Sequence, residues 1–580
     1  MSLISTLARL EAVRTGRAQP ASTVLHRHLS DRPLVLVPLT TAGEAGAPLG
    51  ALVGTDRAEP RLLVVPQPAD RELRFAFLAR LASVVLPYIE EYAAQVEPAE
   101  RTEADPETGK RVKVVTELCA DAPQLVVPGR AGIELVRLLG RANRFRRTAE
   151  EDPDGPYPAP EQVPLLGRWF THLGERARVP GSSLLVAMTD LLARHWATGQ
   201  SALEDQHLGA LLAWIDPPAG DDGDRAARRA ELARDEAGQL LCPPAGPATD
   251  PAFDNKLLAP AVERYDRARR ALADAQDGAS ADRLLAGTTA AERELRGLVE
   301  SRTRPTWDAV WRGIDLLREL PEGAHVTDRW TRDRWSFTAH RDRLAAGEPP
   351  QPRRDDAVTA AQKLATRERE QARLDAQEAL DDPLVMAGRR LAGEAFAAEV
   401  LDVRMTYTES RRPGPRPVLT VRTEDAPHAP AGAKVYRELD GRPQTAEILA
   451  PLEAGEDPEA GEDPEAGDDP EAGDDPEAGD DPEAGPGQAP AGDDGAGPGE
   501  RLLLLRVLDR MGRGREPEDG SVPEKGDRIC WTLFEHDQRG GPRLPGPEET
   551  PWTHGGPPEP PDALPGPATA PDPVTAEDLL

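Results

Sequence analysis

One repeated segment limits the fold of this chain more than any other feature. Residues 456–485 are five consecutive hexads of the form (Glu/Asp)-Asp-Pro-Glu-Ala-Gly. Each hexad has three acids, one proline and one glycine, so it offers no side chain that could build a core. The proline blocks both helix and sheet hydrogen bonding, and six residues are too few for a solenoid repeat. We therefore predict a disordered acidic insertion over 454–500.

This segment also accounts for most of the net charge. The 580-residue chain has a formal charge of −32, and residues 453–500 contain 19 acids and no cation. The remaining residues therefore carry −13. The net charge of the rest of the chain does not by itself exclude a polyanionic partner.

The first 148 residues mix strand and helix patterns, which predicts an α/β domain over 1–148. Residues 111–118 alternate in the manner of a half-buried strand. Leu3, Leu7 and Leu10 form one stripe of an amphipathic first helix. Apolar strand patterns occur at 33–40, 48–55, 60–67 and 111–118, and helical spacing at 70–95 and 131–145.

A Pro- and Gly-rich linker at 149–160 leads into a region whose patterns are almost all helical, which predicts a helical domain over 161–392. Helical spacing covers 280–300 and 306–319, on either side of Pro305. In the second of these stretches, Trp307, Val310, Trp311 and Ile314 form a stripe that predicts a buried helix face.

Short alternating strands follow, which predict a small β-barrel from 393–453 and 501–539. The acidic insertion would then interrupt one hairpin of this barrel, since closure entropy grows only slowly with loop length. One interpretation of the barrel is an OB-like fold. The proline-rich tail 540–580 is predicted to be disordered. The fold class is therefore α+β multidomain.

Cysteine content and hydropathy predict a cytoplasmic protein. Cys119, Cys242 and Cys530 are too widely spaced for a CxxC pair and too few for a disulfide framework. The sequence has no signal-peptide pattern and no apolar run approaching 18 residues, so we expect no membrane span.

Three groups of residues are candidates for ligand contact. Arg144, Arg146 and Arg147 cluster at a helix end, where the helix dipole alone could account for them. Arg411, Arg412 and Arg416 lie in a basic turn of the predicted barrel and could bind phosphates, or could simply be solvated. Trp330 and Trp335 alternate with cations, as in single-strand binders. Asp328, Asp333 and Asp342 lie in the same segment, so it is not strongly basic, and core packing with a solvated face is the favoured interpretation.

No local motif predicts catalysis. The sequence lacks a P-loop, a GxSxG elbow, a GxGxxG fingerprint and an HExxH motif. We therefore assign no catalytic residue, cofactor or metal ligand.

Three hypotheses of function remain. The first is a non-catalytic intracellular interaction or accessory subunit that binds a protein partner through helix faces and the barrel. The second is a nucleic-acid-processing accessory protein whose barrel binds phosphates. The third is an enzyme with a site in the N-terminal domain that is assembled from distant residues.

Overall fold

The computed structural model describes residues 3–44, 46–104, 111–155, 157–274, 279–409, 413–452, 501–512 and 514–537. The predicted disordered segments 454–500 and 540–580 lie outside these ranges. The chain divides into two compact units: unit 1, whose described part ends at Gly388, and unit 2, Arg389–Asp537. None of the helices in the described ranges combines the length and the apolarity needed to cross a bilayer.

The described residues of unit 1 contain most of the helices, and α13 continues into unit 2. A π-helical turn, Asp254–Leu258, joins the short α8 to α9. In chain order the helices are α1 (Leu3–Thr15), α2 (Arg71–Ala93), α3 (Arg130–Asn143), α4 (Val163–Arg176), α5 (Met188–His195), α6 (Leu208–Ile215), α7 (Gly223–Leu232), α8 (Pro251–Phe253), α9 (Ala259–Ala273), α10 (Ala279–Arg318), α11 (Val326–Ala345), α12 (Ala357–Asp381) and α13 (Pro383–Leu391).

The strands form two small pairs, one larger sheet and one barrel. In chain order they are β1 (Gln19–Pro20), β2 (Leu34–Thr40), β3 (Pro48–Gly54), β4 (Arg61–Val64), β5 (Val96–Ala104), β6 (Arg111–Cys119), β7 (Leu125–Val127), β8 (Leu185–Ala187), β9 (Trp196–Ala197), β10 (Ala395–Arg404), β11 (Val418–Thr423), β12 (Lys434–Leu439), β13 (Arg442–Leu452), β14 (Arg501–Val507) and β15 (Arg528–Thr532).

Unit 1 is built around a five-stranded mixed sheet with the order β4-β3-β2-β7-β8. Strands β2, β7 and β8 are parallel, while β3 and β4 run antiparallel to their neighbours. All seven residues of β2 are buried, as expected when helices cover both faces of a sheet. This arrangement confirms the predicted α/β architecture of the N-terminal region.

Alternate residues of the sheet contribute to two separate cores. Leu34 and Leu36 pack on one face with residues of α2, α3, α4 and α11, whereas Val35 and Val37 pack on the other with α5, α6 and α10. Helices α10 and α11 and strand β8 all come from the region predicted to be helical. Both sequence regions, on either side of 149–160, therefore contribute to one sheet and its two helical layers.

Two local predictions need correction. The helices predicted at 280–300 and 306–319 are one 40-residue helix, α10, with Pro305 inside it. Proline removes one hydrogen bond, and the burial of Trp307, Val310 and Ile314 against the sheet outweighs that loss. The strand at 111–118 is confirmed, but most of it is exposed rather than half-buried, because β5 and β6 form a separate two-stranded ribbon.

Unit 2 is a closed barrel with the strand order β10-β11-β14-β13-β12-β15, which confirms the predicted C-terminal barrel. It has six strands, one more than the five-stranded, partly open OB-fold. Its core contains Phe396, Leu419, Ile448, Leu505 and Trp531.

The acidic insertion connects two neighbouring strands of this barrel. Strands β13 and β14 pair antiparallel, and Leu452, the last residue of β13, lies opposite Leu502. The two ends of the 453–500 connection are therefore adjacent. The insertion interrupts a hairpin of the barrel, as the sequence predicts.

Candidate functional site

Among the described residues of unit 1, α1 carries an exposed apolar stripe formed by Leu3, Leu7, Leu10 and Val13. Each of these side chains is between 54 and 62% exposed. Burying an aliphatic side chain is worth roughly 1.5–3 kcal/mol, so amphipathic helices normally turn such a stripe towards the core. On α1 the predicted stripe faces outwards.

The opposite face of α1 fixes this orientation. Ala12 is fully buried in a core of unit 1. Arg9 donates a hydrogen bond of 3.1 Å to the carbonyl oxygen of Gln200 and lies 3.9 Å from the Asp205 carboxylate. Small and polar side chains therefore attach α1 to the unit, which leaves the leucines in solvent.

A second candidate site is a cleft of about 230 Å³ on the outside of the barrel. Three arginines supply its cationic groups, one each from α13, β11 and β15. The cleft is lined by Arg390, Ala397, Ala398, Glu399, Arg422, Thr423, Glu424 and Arg528.

Strand register aligns the charges of this cleft. Glu399 on β10 lies opposite Arg422 on one neighbouring strand and opposite Arg528 on the other. The row therefore contains two guanidinium groups and one carboxylate. Thr423, beside Arg422, lies opposite Arg501, which begins the strand that follows the acidic insertion.

Two of the three arginines in the cleft form ion pairs with carboxylates. Arg422 donates to Glu399 at 2.9 Å, and this hydrogen bond lowers the pKa of the Glu399 carboxyl. Arg390 donates twice to Asp425, at 2.7 and 3.1 Å, which raises the pKa of its guanidinium. Arg528 has no carboxylate partner within hydrogen-bond distance among the described residues. Arg528 is therefore the cation of the cleft that is best placed to bind an anion.

The predicted arginine cluster at the end of α3 does not form a common surface. Arg144 is buried, and its guanidinium donates to the carbonyl oxygens of Arg141, Gln351 and Pro352. The Arg146 guanidinium lies over the Phe75 ring. Arg147 is exposed and lies 3.6 Å from the Asp152 carboxylate.

The two candidate stacking residues differ in exposure. Trp330 is buried, donates its indole N–H to Asp121 at 2.8 Å and stacks on His28 at 4.0 Å. Trp335 is half-buried, with the Arg101 guanidinium 5.7 Å from its ring centre. The structure does not pair the two rings with each other.

Of the predicted basic turn, Arg416 alone lies within the described residues; Arg411 and Arg412 lie outside them. Arg416 is half-buried, and its backbone exchanges hydrogen bonds with Thr406 across the turn. Its guanidinium donates to the carbonyl oxygen of Pro415 at 2.9 Å.

One buried constellation contains the residue types of a catalytic triad. The Ser22 hydroxyl donates to Asp382 at 2.6 Å, and the His26 Nε2 lies 3.4 Å from the same carboxylate. A triad needs the serine to donate to the histidine, which would take its proton. Here the serine donates to the acid, and all three side chains are buried. Asp382 also accepts from the backbone of Thr23 and Leu384, so the constellation anchors an N-terminal loop to α13.

Sequence reasoning missed both the cleft and the outward direction of the α1 stripe. The cleft residues are far apart in sequence, and only strand pairing places them in one row. The strand alternation around Val421-Arg422-Thr423 was the available signal, because it turns Arg422 away from the core.

No known protein family, curated protein or solved structure matches this chain. Within the described ranges, no three His, Cys, Asp or Glu side chains are grouped so that they could hold a metal ion.

Proposed function

We propose that this protein is a non-catalytic interaction or accessory subunit that binds a protein partner through α1. The exposed stripe of Leu3, Leu7, Leu10 and Val13 is the observation that supports this function. Exposed apolar patches on a well-packed body are typical of protein interaction sites.

The spacing of the stripe indicates the kind of partner. Leu3, Leu7 and Leu10 follow the i, i+4, i+7 pattern of helices that dock into an apolar groove or against another helix. Ala12, on the opposite face, is buried in unit 1, so α1 can bind a partner without leaving its place.

A triple variant tests this function. We expect Leu3→Gln, Leu7→Gln and Leu10→Gln together to abolish partner binding, because glutamine preserves helix propensity and removes the apolar surface. The matched control replaces three exposed leucines elsewhere with Gln: Leu203, Leu285 and Leu364. Affinity purification from the native cell should recover the same partner with the wild type and the control, and not with the stripe variant. Equal recovery by all three proteins would count against the proposal.

The arginine-lined cleft supports a second candidate function, in which the barrel binds the phosphates of a nucleic acid. Phosphate contacts release counterions, so binding should weaken steeply with salt. Arg528→Gln and Arg422→Gln should each lower the salt slope by about one unit relative to the wild type, whereas the exposed Arg57→Gln of unit 1 should not. Titration uses single-stranded DNA and RNA, with the full chain and with a 454–500 deletion. Absence of binding by both proteins at low salt would exclude this function.

We also propose a reducing, cytoplasmic location. All three cysteines are free, with Cys119 buried and Cys242 and Cys530 half-buried, which is consistent with a compartment that does not form disulfides. The accessory function itself does not depend on this location.

A further inference from the structure

The ribbon formed by β5 and β6 is a two-stranded sheet of unit 1, separate from the five-stranded sheet. Nine residue pairs join the two strands, from Val96 opposite Cys119 to Ala104 opposite Arg111. No other strand of the described residues pairs with either of them. Both outer edges of the ribbon therefore have backbone groups available for a further strand.

The inner half of the ribbon packs against α11 of unit 1. The Cys119 backbone N–H donates to Thr338 on α11, and Arg334 donates to the Cys119 carbonyl oxygen. Arg101, near the middle of β5, covers the Trp335 ring. Contacts with α11 therefore hold the inner half of the ribbon.

The outer half of β6 exposes valines on both faces. Val112 and Val114 lie on one face and Val115 on the other, with Val115 69% exposed. An isolated two-stranded ribbon is marginally stable in water, and an exposed apolar edge is a template for strand addition. An added strand would extend the sheet and cover these valines.

We propose that β6 pairs antiparallel with β6 of a second copy of this chain, about a two-fold axis at Val114. The two ribbons would then form one continuous four-stranded sheet. In this register Val114 faces Val114 of the second copy, Val112 faces Thr116, and Lys113 faces Val115. Arg111 of each copy lies opposite Glu117 of the other.

The charges along the outer edge of β6 are complementary to those of a second copy of the same strand. The register makes two opposite-charge pairs, Arg111 with Glu117, and opposite charges directly across two strands stabilise the pairing. Axes at Val112 and Lys113 are disfavoured, because the first places Arg111 opposite Lys113 and the second places two lysines together.

The axes at Val114 and Val115 remain, and the burial of the paired residues distinguishes them. An axis at Val115 would place Lys113 opposite Glu117, but it would also place Arg111 opposite Cys119. Cys119 is fully buried at the base of the ribbon, next to α11. The axis at Val114 uses only residues 111–117, all exposed or half-buried, so it is the register that a second copy can reach.

A charge swap tests the pairing. Arg111→Glu places two carboxylates opposite each other at both ends of the interface, and Glu117→Arg does the same with two guanidinium groups. The proposal expects a concentration-dependent dimer of the full chain in sedimentation velocity. Each single variant should weaken this dimer by at least about tenfold, and the double variant should restore it, because the opposite charges are again paired.

Several outcomes would overturn the proposal. A monomeric wild type at the highest soluble concentration excludes it, as does a dimer whose affinity neither single variant changes. Failure of the double variant to restore the dimer, with circular dichroism showing it folded, also excludes it. Rescue by Lys113→Glu combined with Glu117→Arg instead would assign the axis to Val115. The test is independent of α1, so a triple Leu→Gln variant of that helix should leave the dimer unchanged.

Discussion

Asp333 on α11 is the acceptor at the centre of a buried polar cluster in unit 1. Its carboxylate accepts from Arg176 at 2.7 Å, from the Ser182 hydroxyl at 2.7 Å and from the Ser183 backbone at 2.6 Å. The side chain is fully buried. These bonds connect α4, the residues before β8, and α11, so one carboxylate links three parts of the chain.

Removing the Asp333 carboxylate should lower the free energy of unfolding far more than removing an exposed carboxylate. We expect Asp333→Ala to destabilise unit 1 by about 3 kcal/mol, because it leaves Arg176 and the serines without their buried acceptor. Asp315→Ala breaks the exposed 3.1 Å pair with Arg57 and should cost less than about 1 kcal/mol. Urea denaturation measures both variants through far-ultraviolet circular dichroism, which reports on the helices. Equal costs would disprove the structural role of Asp333.

His172 and His340 form a buried stacked pair. Their rings are 4.2 Å apart and nearly parallel, and the Trp169 ring lies edge-on to His340. Burial, with a smaller effect of Arg343, lowers the pKa of His340 to about 3. Burial and the neighbouring His340 hold the pKa of His172 well below its ordinary value. Both rings are therefore neutral in the folded protein at physiological pH.

This pair should make unit 1 sensitive to acid. Below the ordinary histidine pKa of about 6.5, the unfolded chain takes up protons that the folded pair does not. The free energy of unfolding therefore decreases as the pH decreases, by up to about 1.4 kcal/mol per pH unit for each ring. We expect His340→Phe to reduce the loss of stability between pH 8 and pH 5 by about 2 kcal/mol. The difference between variant and wild type at pH 8 gives the packing effect alone. An unchanged pH dependence would show that His340 titrates normally.

At the scale of elements, two glycines allow α3 and α4 to pack closely. A Cβ on Gly140 of α3 would lie 2.5 Å from the Thr171 backbone nitrogen on α4. A Cβ on Gly167 of α4 would lie 2.5 Å from the Arg144 backbone nitrogen, just after α3. Each glycine thus admits the backbone of the other helix, and larger residues would push the helices apart.

Alanine at one of these glycines should destabilise unit 1, although alanine favours helices. We expect Gly140→Ala to cost about 2 kcal/mol or more, since the backbone of α4 must move. Gly297→Ala is the control: this glycine is in α10 with no atom within 4 Å of the added Cβ. It should stabilise the protein by up to about 1 kcal/mol. Thermal denaturation compares the two variants, and a stabilising Gly140→Ala would refute the close packing.

At the scale of the whole molecule, the barrel contains strands from both sides of the acidic insertion. Six register pairs, from Ala446 opposite Val507 to Leu452 opposite Leu502, hold β13 and β14 together across a 48-residue connection. Barrel closure therefore depends on contacts between distant residues and not on a short turn.

Replacing 453–500 with a four-residue turn should stabilise the barrel. Closing a flexible loop costs about 0.6 kcal/mol more for each doubling of its length, so the shorter connection should gain about 2 kcal/mol. Hydrogen exchange of the β13 and β14 amides, followed by mass spectrometry, measures barrel opening separately from unit 1. Faster exchange in the deletion protein would instead indicate that the insertion stabilises the barrel.

Some predictions that depend only on residues close together in sequence were confirmed. The stripe of Trp307, Val310, Trp311 and Ile314 on α10 is buried, as its helical spacing predicts. The barrel and the place of its interruption also follow from sequence, because strand alternation and the hexad composition are local properties.

The amino-acid sequence predicted the strands of the barrel and the buried face of α10, and it shows that residues 453–500 carry more than half of the net charge. Tertiary structure alone decided which elements pack against each face. The α1 stripe has the pattern of a core-facing helix but faces solvent, because Ala12 packs on the other side. Likewise, Arg390, Arg422 and Arg528 share a cleft only after the strands pair. Periodicity shows that a face is apolar or charged, but the neighbours that cover it come from distant parts of the chain.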